Sequence, residues 1–293
     1  MPEGDTVHRA AARIHEAMAG YVLTRTDFRV PKFATVDLTG RRILQARAVG
    51  KHLFIDVGGS VPTTADALSS VIHSHLKMEG KWFVHEVGRK WTFPAFLARV
   101  VLRTSGDDGG AEAVGVELGE LNVFSPEEAA ARVEHIGPDL LGEPRPGESF
   151  RVGDWSGAEA LGRIRGEGDR AIGAAILDQR LVAGIGNEYR SELLFLRGID
   201  PRHTVREVDA AGGLEPLLML ARKTMAINVR RQIRMFTGVD KRRARHWVYG
   251  RGGEPCMRCG TMVIAGELGE LAGDSGAADR FARTVFYCPN CQR

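Results

Sequence analysis

Two groups of residues in this 293-residue chain have types and spacings that can do chemistry. The first is Met1-Pro2-Glu3. Once Met1 is removed, Pro2 offers a secondary amine with the Glu3 carboxylate directly beside it. An α-amino group has a reference pKa of about 7.7–8.0, so part of it is unprotonated near neutral pH. Such an amine attacks electrophilic carbon and forms a Schiff base. From a secondary amine the adduct is an iminium cation, which can pull electrons out of a sugar and drive elimination of phosphate. Met-Pro is also a common start and chain ends often fray, so the pair gains meaning only from the rest of the chain.

The second group is Cys256-Met-Arg-Cys259 and Cys288-Pro-Asn-Cys291, which hold all four cysteines. Two CxxC pairs supply four thiolates at the spacing of two zinc knuckles and predict one structural Zn2+ in a closed tetrahedral site. In a small appendage that metal supplies much of the folding free energy. Two disulfides or four free thiols are the alternatives, and a cytosolic chain argues against disulfides.

These groups need elements to position them. Residues 5–19 read as an amphipathic helix capped by Asp5 or Thr6, with Val7, Ala11, Ile14 and Met18 on one face and Gly20 at its end. That helix would hold Pro2 in place. From Tyr21 to Phe124 the signals are mostly strands: Val22–Val30, Arg42–Val49, His52–Val57, Ser70–His75, Lys81–His85 and Phe96–Arg103. An antiparallel sandwich is the expected solution. Gly58–Ser69 and Thr104–Ala113 read as solvent loops. Ser125-Pro126-Glu127-Glu128 opens a helix that Gly137-Pro138 stops. Glu143–Glu148 reads as a linker. Helices are expected at about 156–166, 171–182, 188–197 and 213–227. After that the cysteine pairs predict a hairpin ribbon, with Arg283–Tyr287 as its returning strand and a disordered or extended loop between.

Charge is unevenly spread. The whole chain carries +3, but Asn228 to Arg293 holds 12 Lys and Arg against 6 Asp and Glu. Such clustering suggests a polyanionic partner. No apolar run approaches the roughly 20 residues of a membrane span, and no basic-then-apolar leader begins the chain. The expectation is a cytoplasmic protein without membrane contact.

Four motifs stand in register: Met1-Pro2-Glu3-Gly4, Gly50-Lys51-His52-Leu53-Phe54, Leu177-Asp178-Gln179-Arg180-Leu181-Val182-Ala183-Gly184-Ile185-Gly186-Asn187, and Phe286-Tyr287-Cys288-Pro289-Asn290-Cys291-Gln292. Together they resemble the Fpg/Nei family of DNA glycosylases, most of all its Nei (endonuclease VIII) branch. The resemblance implies an α+β multidomain protein. Its parts would be an N-terminal β-sandwich with flanking helices (1–124), a helix-two-turn-helix domain (125–249) and a four-cysteine zinc ribbon (250–293). It implies a monomer that holds damaged DNA, duplex or else single-stranded or forked, between two lobes. The reaction would be excision of an oxidised base, pyrimidines favoured, followed by β,δ-elimination.

The resemblance also assigns residues. Pro2 would attack C1′, and Glu3 would assist proton transfer. Lys51, on a sandwich strand, would stabilise the eliminated phosphate and favour the neutral proline amine. Asn187, also read as the N-cap of a helix from Glu188, and Arg283 would hold DNA phosphates. Met78, in His75-Leu76-Lys77-Met78-Glu79-Gly80, would fill the hole left by the flipped nucleotide. A core methionine at a strand end is the alternative for Met78. The run Arg230, Arg231, Arg234, Lys241, Arg242, Arg243 and Arg245, interleaved with Phe236 and Trp247, reads as a DNA-facing loop. Two features depart from the family pattern: Asp5-Thr6 stands where a second Pro-Glu is common, and the ribbon carries a long insertion. An Fpg-like oxidised-purine glycosylase and a non-catalytic DNA-binding paralogue are the competing readings.

Overall fold

The computed structural model describes residues 2–59, 67–105, 109–142, 157–241, 244–269 and 282–293. The chain divides into two compact units, Met1–His135 and Ile136–Arg293.

The first unit opens with α1 (Gly4–Met18). Val7, Ala11, Ile14 and Met18 are all buried in one core with the strands, as their spacing predicts. The cap differs from expectation. Glu3 is the N-cap, through its backbone: its carbonyl accepts from Thr6 N (3.0 Å) and Val7 N (3.2 Å). Asp5 lies inside the first turn, and its Oδ1 accepts from Thr6 N at 2.7 Å. The helix therefore begins right after Glu3, and core burial of its apolar face fixes the start of the described chain. Ile14→Ala is expected to cost about 2–5 kcal/mol through loss of buried methyl groups and the cavity left behind. Urea unfolding at constant m-value reads that cost.

Eight strands follow among the described residues: β1 (Leu23–Phe28), β2 (Ile43–Val49), β3 (His52–Gly58), β4 (Leu68–His75), β5 (Lys81–Glu86), β6 (Ala98–Thr104), β7 (Ala111–Val116) and β8 (Glu120–Phe124). They form two antiparallel sheets, β1-β6-β7-β5 and β2-β3-β4-β8. Leu53, Ile55, Val57 and Ile72 from one sheet share a core with Leu23, Phe28, Val100 and Leu102 from the other, which makes the sandwich. β7 corrects the expected solvent loop at Thr104–Ala113: β6 runs through Thr104 and β7 begins at Ala111. Its Gly115 hid the strand signal, and the packing explains that glycine. A Cβ there would stand 2.6 Å from Leu118 Cδ1 and 2.9 Å from Val100 Cγ1. The other expected loop, Gly58–Ser69, lies partly outside the described residues, and its ends belong to β3 and β4.

β3 is buried almost end to end. Its inner residues face the sandwich, while Phe54 on the other side packs with Val71 under Ala129 of α2 (Pro126–Ala131). Ser125 caps the helix that its sequence opens, and the structure completes a capping box there, with Ser125 Oγ accepting from Glu128 N and Glu128 Oε2 accepting from Ser125 N.

In the second unit the helices are α3 (Gly157–Arg165), α4 (Ile172–Ala175), α5 (Asn187–Arg197), α6 (Val205–Ala210) and α7 (Leu214–Val229). The expected linker Glu143–Glu148 lies outside the described residues. α4 is far shorter than the predicted 171–182 helix. Asp178 ends the run: its Oδ1 accepts from Arg180 N, and Gly137 N donates to the Gln179 carbonyl. α6 was not anticipated, although Thr204-x-x-Glu207 forms a complete capping box in front of it. The core gathers Ile172, Ile176, Ile185, Tyr189, Leu193, Leu217 and Met225. The unit ends in a hairpin, β9 (Ile264–Leu268) with β10 (Arg283–Tyr287), whose Leu268, Val285 and Tyr287 pack on Ala171 and Ala174. The loop expected between these strands falls largely on residues 270–281, outside the described residues.

Candidate active site and nucleic-acid interface

In the first unit, Pro2 is half-buried ahead of α1 and Glu3 is fully buried. Lys51 is not inside a strand as expected. It sits with Gly50 in the two-residue turn between β2 and β3, where Val49 pairs with His52. Gly50 adopts φ +58°, the left-handed conformation a tight hairpin needs at its first central position. The turn lifts Lys51 to the hairpin tip instead of burying it in the sheet.

Beyond β4, Lys77-Met78-Glu79 forms another turn, with Lys77 at φ +52°. Met78 is 60% exposed while Leu76 before it is buried. The core reading of Met78 therefore fails: the sandwich takes Leu76 and leaves Met78 in solvent.

Between these two turns lies a cluster that the sequence reading missed. The β3–β4 register sets His52 opposite His75 and Phe54 opposite His73. The His52 and His73 rings stack at 5.1 Å, with His52 Nδ1 and His73 Nε2 2.9 Å apart. His75 meets His52 edge-on at 5.0 Å. Glu120 beside them is engaged by Lys77 (2.7 Å) and Arg132 (2.6 Å). Burial pushes His52 down to about 3, reinforced by the two neighbouring imidazoles. Burial and then Arg132 push His73 to about 4, and burial and then Lys77 do the same for His75. All three rings are neutral at working pH.

Their linkage sign is definite. The unfolded chain binds these protons near pH 6.5 and the folded one only near 3–4, so the unfolded state takes up more protons between. Stability from the cluster is complete above pH 6.5 and drains away as pH falls toward 4. Thermal midpoints measured from pH 7 to 4.5 are expected to drop, and to drop less in His73→Phe.

In the second unit, the Leu177–Asn187 motif is a turn organised by Gln179. Its Oε1 accepts from Gly184 N (3.0 Å), and its Nε2 donates to the carbonyls of Leu177 and Ile185. Gly184 takes φ +107°, against the Met225 side chain. The N-cap of α5 is Gly186, not Asn187 as expected; Asn187 is the first helical residue. Its side-chain oxygen accepts from Arg190 Nη2. The amide nitrogen of Asn187 is then the end suited to an anion.

Arg190, 1% exposed, is a residue the sequence reading missed. Besides Asn187, its Nη2 donates to the Thr284 carbonyl at 2.7 Å. Phe286 N donates to Ser191 Oγ, which in turn donates to the Asn187 carbonyl. α5 and β10 are thus tied together, and the tie connects Asn187 to the strand that begins with the exposed Arg283.

Among the described residues of the basic run, two arginines are engaged by carboxylates. Arg234 is half-buried against Glu188 and stacks over the Tyr189 ring, because α5 supplies an inward carboxylate there. His246 Nε2 lies 2.7 Å from the same Glu188. Burial opposes the Glu188 charge, but His246 and Arg234 outweigh it and hold its carboxyl below the usual range. Arg245 pairs with Asp240. Arg242 and Arg243 lie outside the described residues. Phe236 packs on Tyr189 and Trp247 on Phe195, so these aromatics serve the core rather than a base stack. Glu192 accepts from three consecutive backbone amides, Trp247 N (2.8 Å), Val248 N (2.9 Å) and Tyr249 N (2.8 Å).

The four cysteines converge as their spacing predicts. The Sγ atoms of Cys256, Cys259, Cys288 and Cys291 lie within 4.8 Å of one another. A metal with bonds of about 2.3 Å to four sulfurs gives tetrahedron edges near 3.8 Å. The Cys259–Cys288 separation of 3.5 Å fits that size. Gly260 at φ +78° turns one knuckle, and Gln292 closes the other by accepting from Cys288 N at 2.8 Å. The donor set and its compactness suit a structural metal ion with no open coordination position.

Residues 1–113 match the formamidopyrimidine-DNA glycosylase N-terminal domain, and residues 157–234 match the formamidopyrimidine-DNA glycosylase H2TH domain. A probable endonuclease 8 2 of Streptomyces coelicolor is 43% identical over 100% of this chain and 94% of its own length. The DNA-(apurinic or apyrimidinic site) lyase Nei2 of Mycolicibacterium smegmatis is 38% identical, covering 100% of this chain and 99% of that protein. The Lactococcus lactis Fpg, solved in complex with DNA containing an abasic site, shares the fold with a TM-score of 0.71 at 19% identity, over 100% of both chains. The chain belongs to the Fpg/Nei family of DNA glycosylases and AP lyases, on its endonuclease 8 branch. Among the described residues no helix is long and apolar enough to cross a membrane.

Proposed function

We propose that this protein removes oxidised pyrimidines from DNA and then cleaves the strand, with Pro2 as nucleophile. After removal of Met1 the Pro2 amine attacks C1′ of the damaged nucleotide. The base departs and an iminium adduct remains. Loss of the 2′ proton then releases the 3′ phosphate, and a second elimination releases the 5′ phosphate. Glu3 moves protons at the opening sugar. Lys51 at its hairpin tip stabilises the departing phosphate. Asn187 and Arg283 hold backbone phosphates, and exposed Met78 enters the vacated stack. The sandwich of residues 1–124, with α2 packed on it, does the chemistry, the helices of the second unit up to 249 grip the backbone, and 250–293 form the ribbon, whose ion is one structural Zn2+. The protein acts as a cytoplasmic monomer on damaged duplex DNA, with single-stranded or forked DNA as further substrates.

The observation that carries this reading is the start of α1: Pro2 directly precedes a buried Glu3 whose backbone caps a core-anchored helix. The preference for pyrimidines rests on full-length similarity to endonuclease 8 relatives. The test is borohydride trapping of an abasic duplex by protein lacking Met1, followed by a lesion panel. A covalent adduct and excision of thymine glycol and dihydrouracil are expected. No adduct would favour a non-catalytic paralogue. Cleavage of 8-oxoguanine with both pyrimidines ignored would favour the purine enzyme.

A further inference from the structure

We propose that His73 and Asn122 are positioning residues for DNA: they fix the tautomer of His52, so that His52 and His75 together present two N–H donors to one backbone phosphate. The inference rests on the DNA-processing reading above.

A neutral imidazole has one nitrogen that donates and one that accepts. Asn122 on β8, paired with His73 in the β4–β8 register, donates from Nδ2 to His73 Nδ1 (3.4 Å). His73 must then carry its proton on Nε2, and it donates that proton to His52 Nδ1 at 2.9 Å. His52 in turn must carry its own proton on Nε2. His75 reaches the same state separately, because its Nδ1 accepts from Lys77 N at 3.0 Å. Two half-buried rings 5.0 Å apart therefore hold the same tautomer.

The surroundings select the ligand. Lys51 precedes His52 in the hairpin tip, and Lys77 and Arg132 flank the cluster from the other side. The nearby carboxylate, Glu120, is already engaged by both of those cations. Neutral N–H donors among cations suit a phosphate oxygen and reject a cationic or metal ligand. His73 is fully buried and contacts no solvent, so its contribution passes through His52. The stack His52–His73–Phe124 holds the rings in plane, which lets a phenyl ring replace His73 without leaving a cavity.

Wild type, His73→Phe, His73→Gln and Asn122→Leu, all lacking Met1, would be compared on a tetrahydrofuran-containing duplex for affinity and on an abasic duplex for trapping. His73→Phe removes the donor to His52. A net hydrogen-bond contribution of about 0.5–1.5 kcal/mol corresponds to roughly 2–13-fold weaker binding. Asn122→Leu is expected to weaken binding in the same direction. The trapping rate at saturating DNA should stay within about twofold of wild type, since the chemical groups are untouched. His73→Gln keeps an N–H donor and is expected to restore affinity. Long-range proton–nitrogen NMR of the wild type should place the His52 proton on Nε2. A proton on His52 Nδ1, or unchanged affinity in both His73→Phe and Asn122→Leu, would overturn the proposal. Failure of the wild type to trap abasic DNA would instead remove the functional reading beneath it.

Discussion

Protein that retains Met1 is expected to form no borohydride-stable adduct with abasic DNA, a loss of at least about 10³-fold, as removal of a covalent nucleophile should produce. With Met1 attached, the Pro2 nitrogen is a tertiary amide without a usable lone pair. Affinity for a tetrahydrofuran-containing duplex should change by less than about tenfold, because backbone phosphates supply most of the binding. That split separates a chemical block from a binding defect. Pro2→Gly is a second arm. Its primary amine still reaches C1′, but the imine must gain a proton to become cationic, so slower trapping is expected. Trapping at the wild-type rate with Met1 verified in place by mass spectrometry would remove Pro2 from the mechanism.

Stripping the metal from the cysteine cluster is expected to unfold the ribbon and leave the helical core of the second unit folded. Structural zinc in finger peptides contributes on the order of 10–16 kcal/mol of apparent binding free energy at neutral pH. Around the cysteines the packing is small, chiefly Val248 and Val263 against Phe195 of α5, and the far end of the hairpin adds only Leu268, Val285 and Tyr287 on Ala171 and Ala174. The helical core around Ile176, Tyr189 and Leu217 does not include a cysteine. Cys288→Ala, or a strong chelator, should therefore split one melting transition into two. Arg283 would lose its strand, and losing one charge-assisted phosphate contact of about 1.5–3 kcal/mol corresponds to roughly 10–150-fold weaker DNA binding. One zinc per chain, released to a metallochromic dye as the ribbon melts, is the expected stoichiometry. Metal-free protein with a single, unshifted transition would refute a structural metal.

What the sequence disclosed was local. The α1 face, the Ser125 cap and the CxxC pairs each declare themselves within a few residues, and each formed as read. What it hid depends on partners far away in the chain. Gly115 spoils a strand pattern until Leu118 and Val100 are seen to need the space. α4 stops early because Gly137 binds the Gln179 carbonyl. His52 and His73 lie 21 residues apart and meet only through the β3–β4 register, which a one-residue slip would abolish. Arg190 looks like a surface helix residue until β10 supplies its carbonyl partner. The same limit explains Arg234: its charge is visible in the sequence, but its pairing with Glu188 is not.

The Glu192 contacts have a consequence for where DNA can bind. Three successive amides converging on one point are the backbone geometry that elsewhere captures phosphate. Here the acceptor is built in. The Glu192 carboxyl fills the concavity formed by Trp247, Val248 and Tyr249, and burial pushes its pKa up despite those three donors. The segment entering the ribbon is thus a self-satisfied receptor, its three amides closed to any outside anion. Its amides are spent on holding the chain to α5, so in the proposed function the phosphate contacts of this unit fall to side chains such as Arg283.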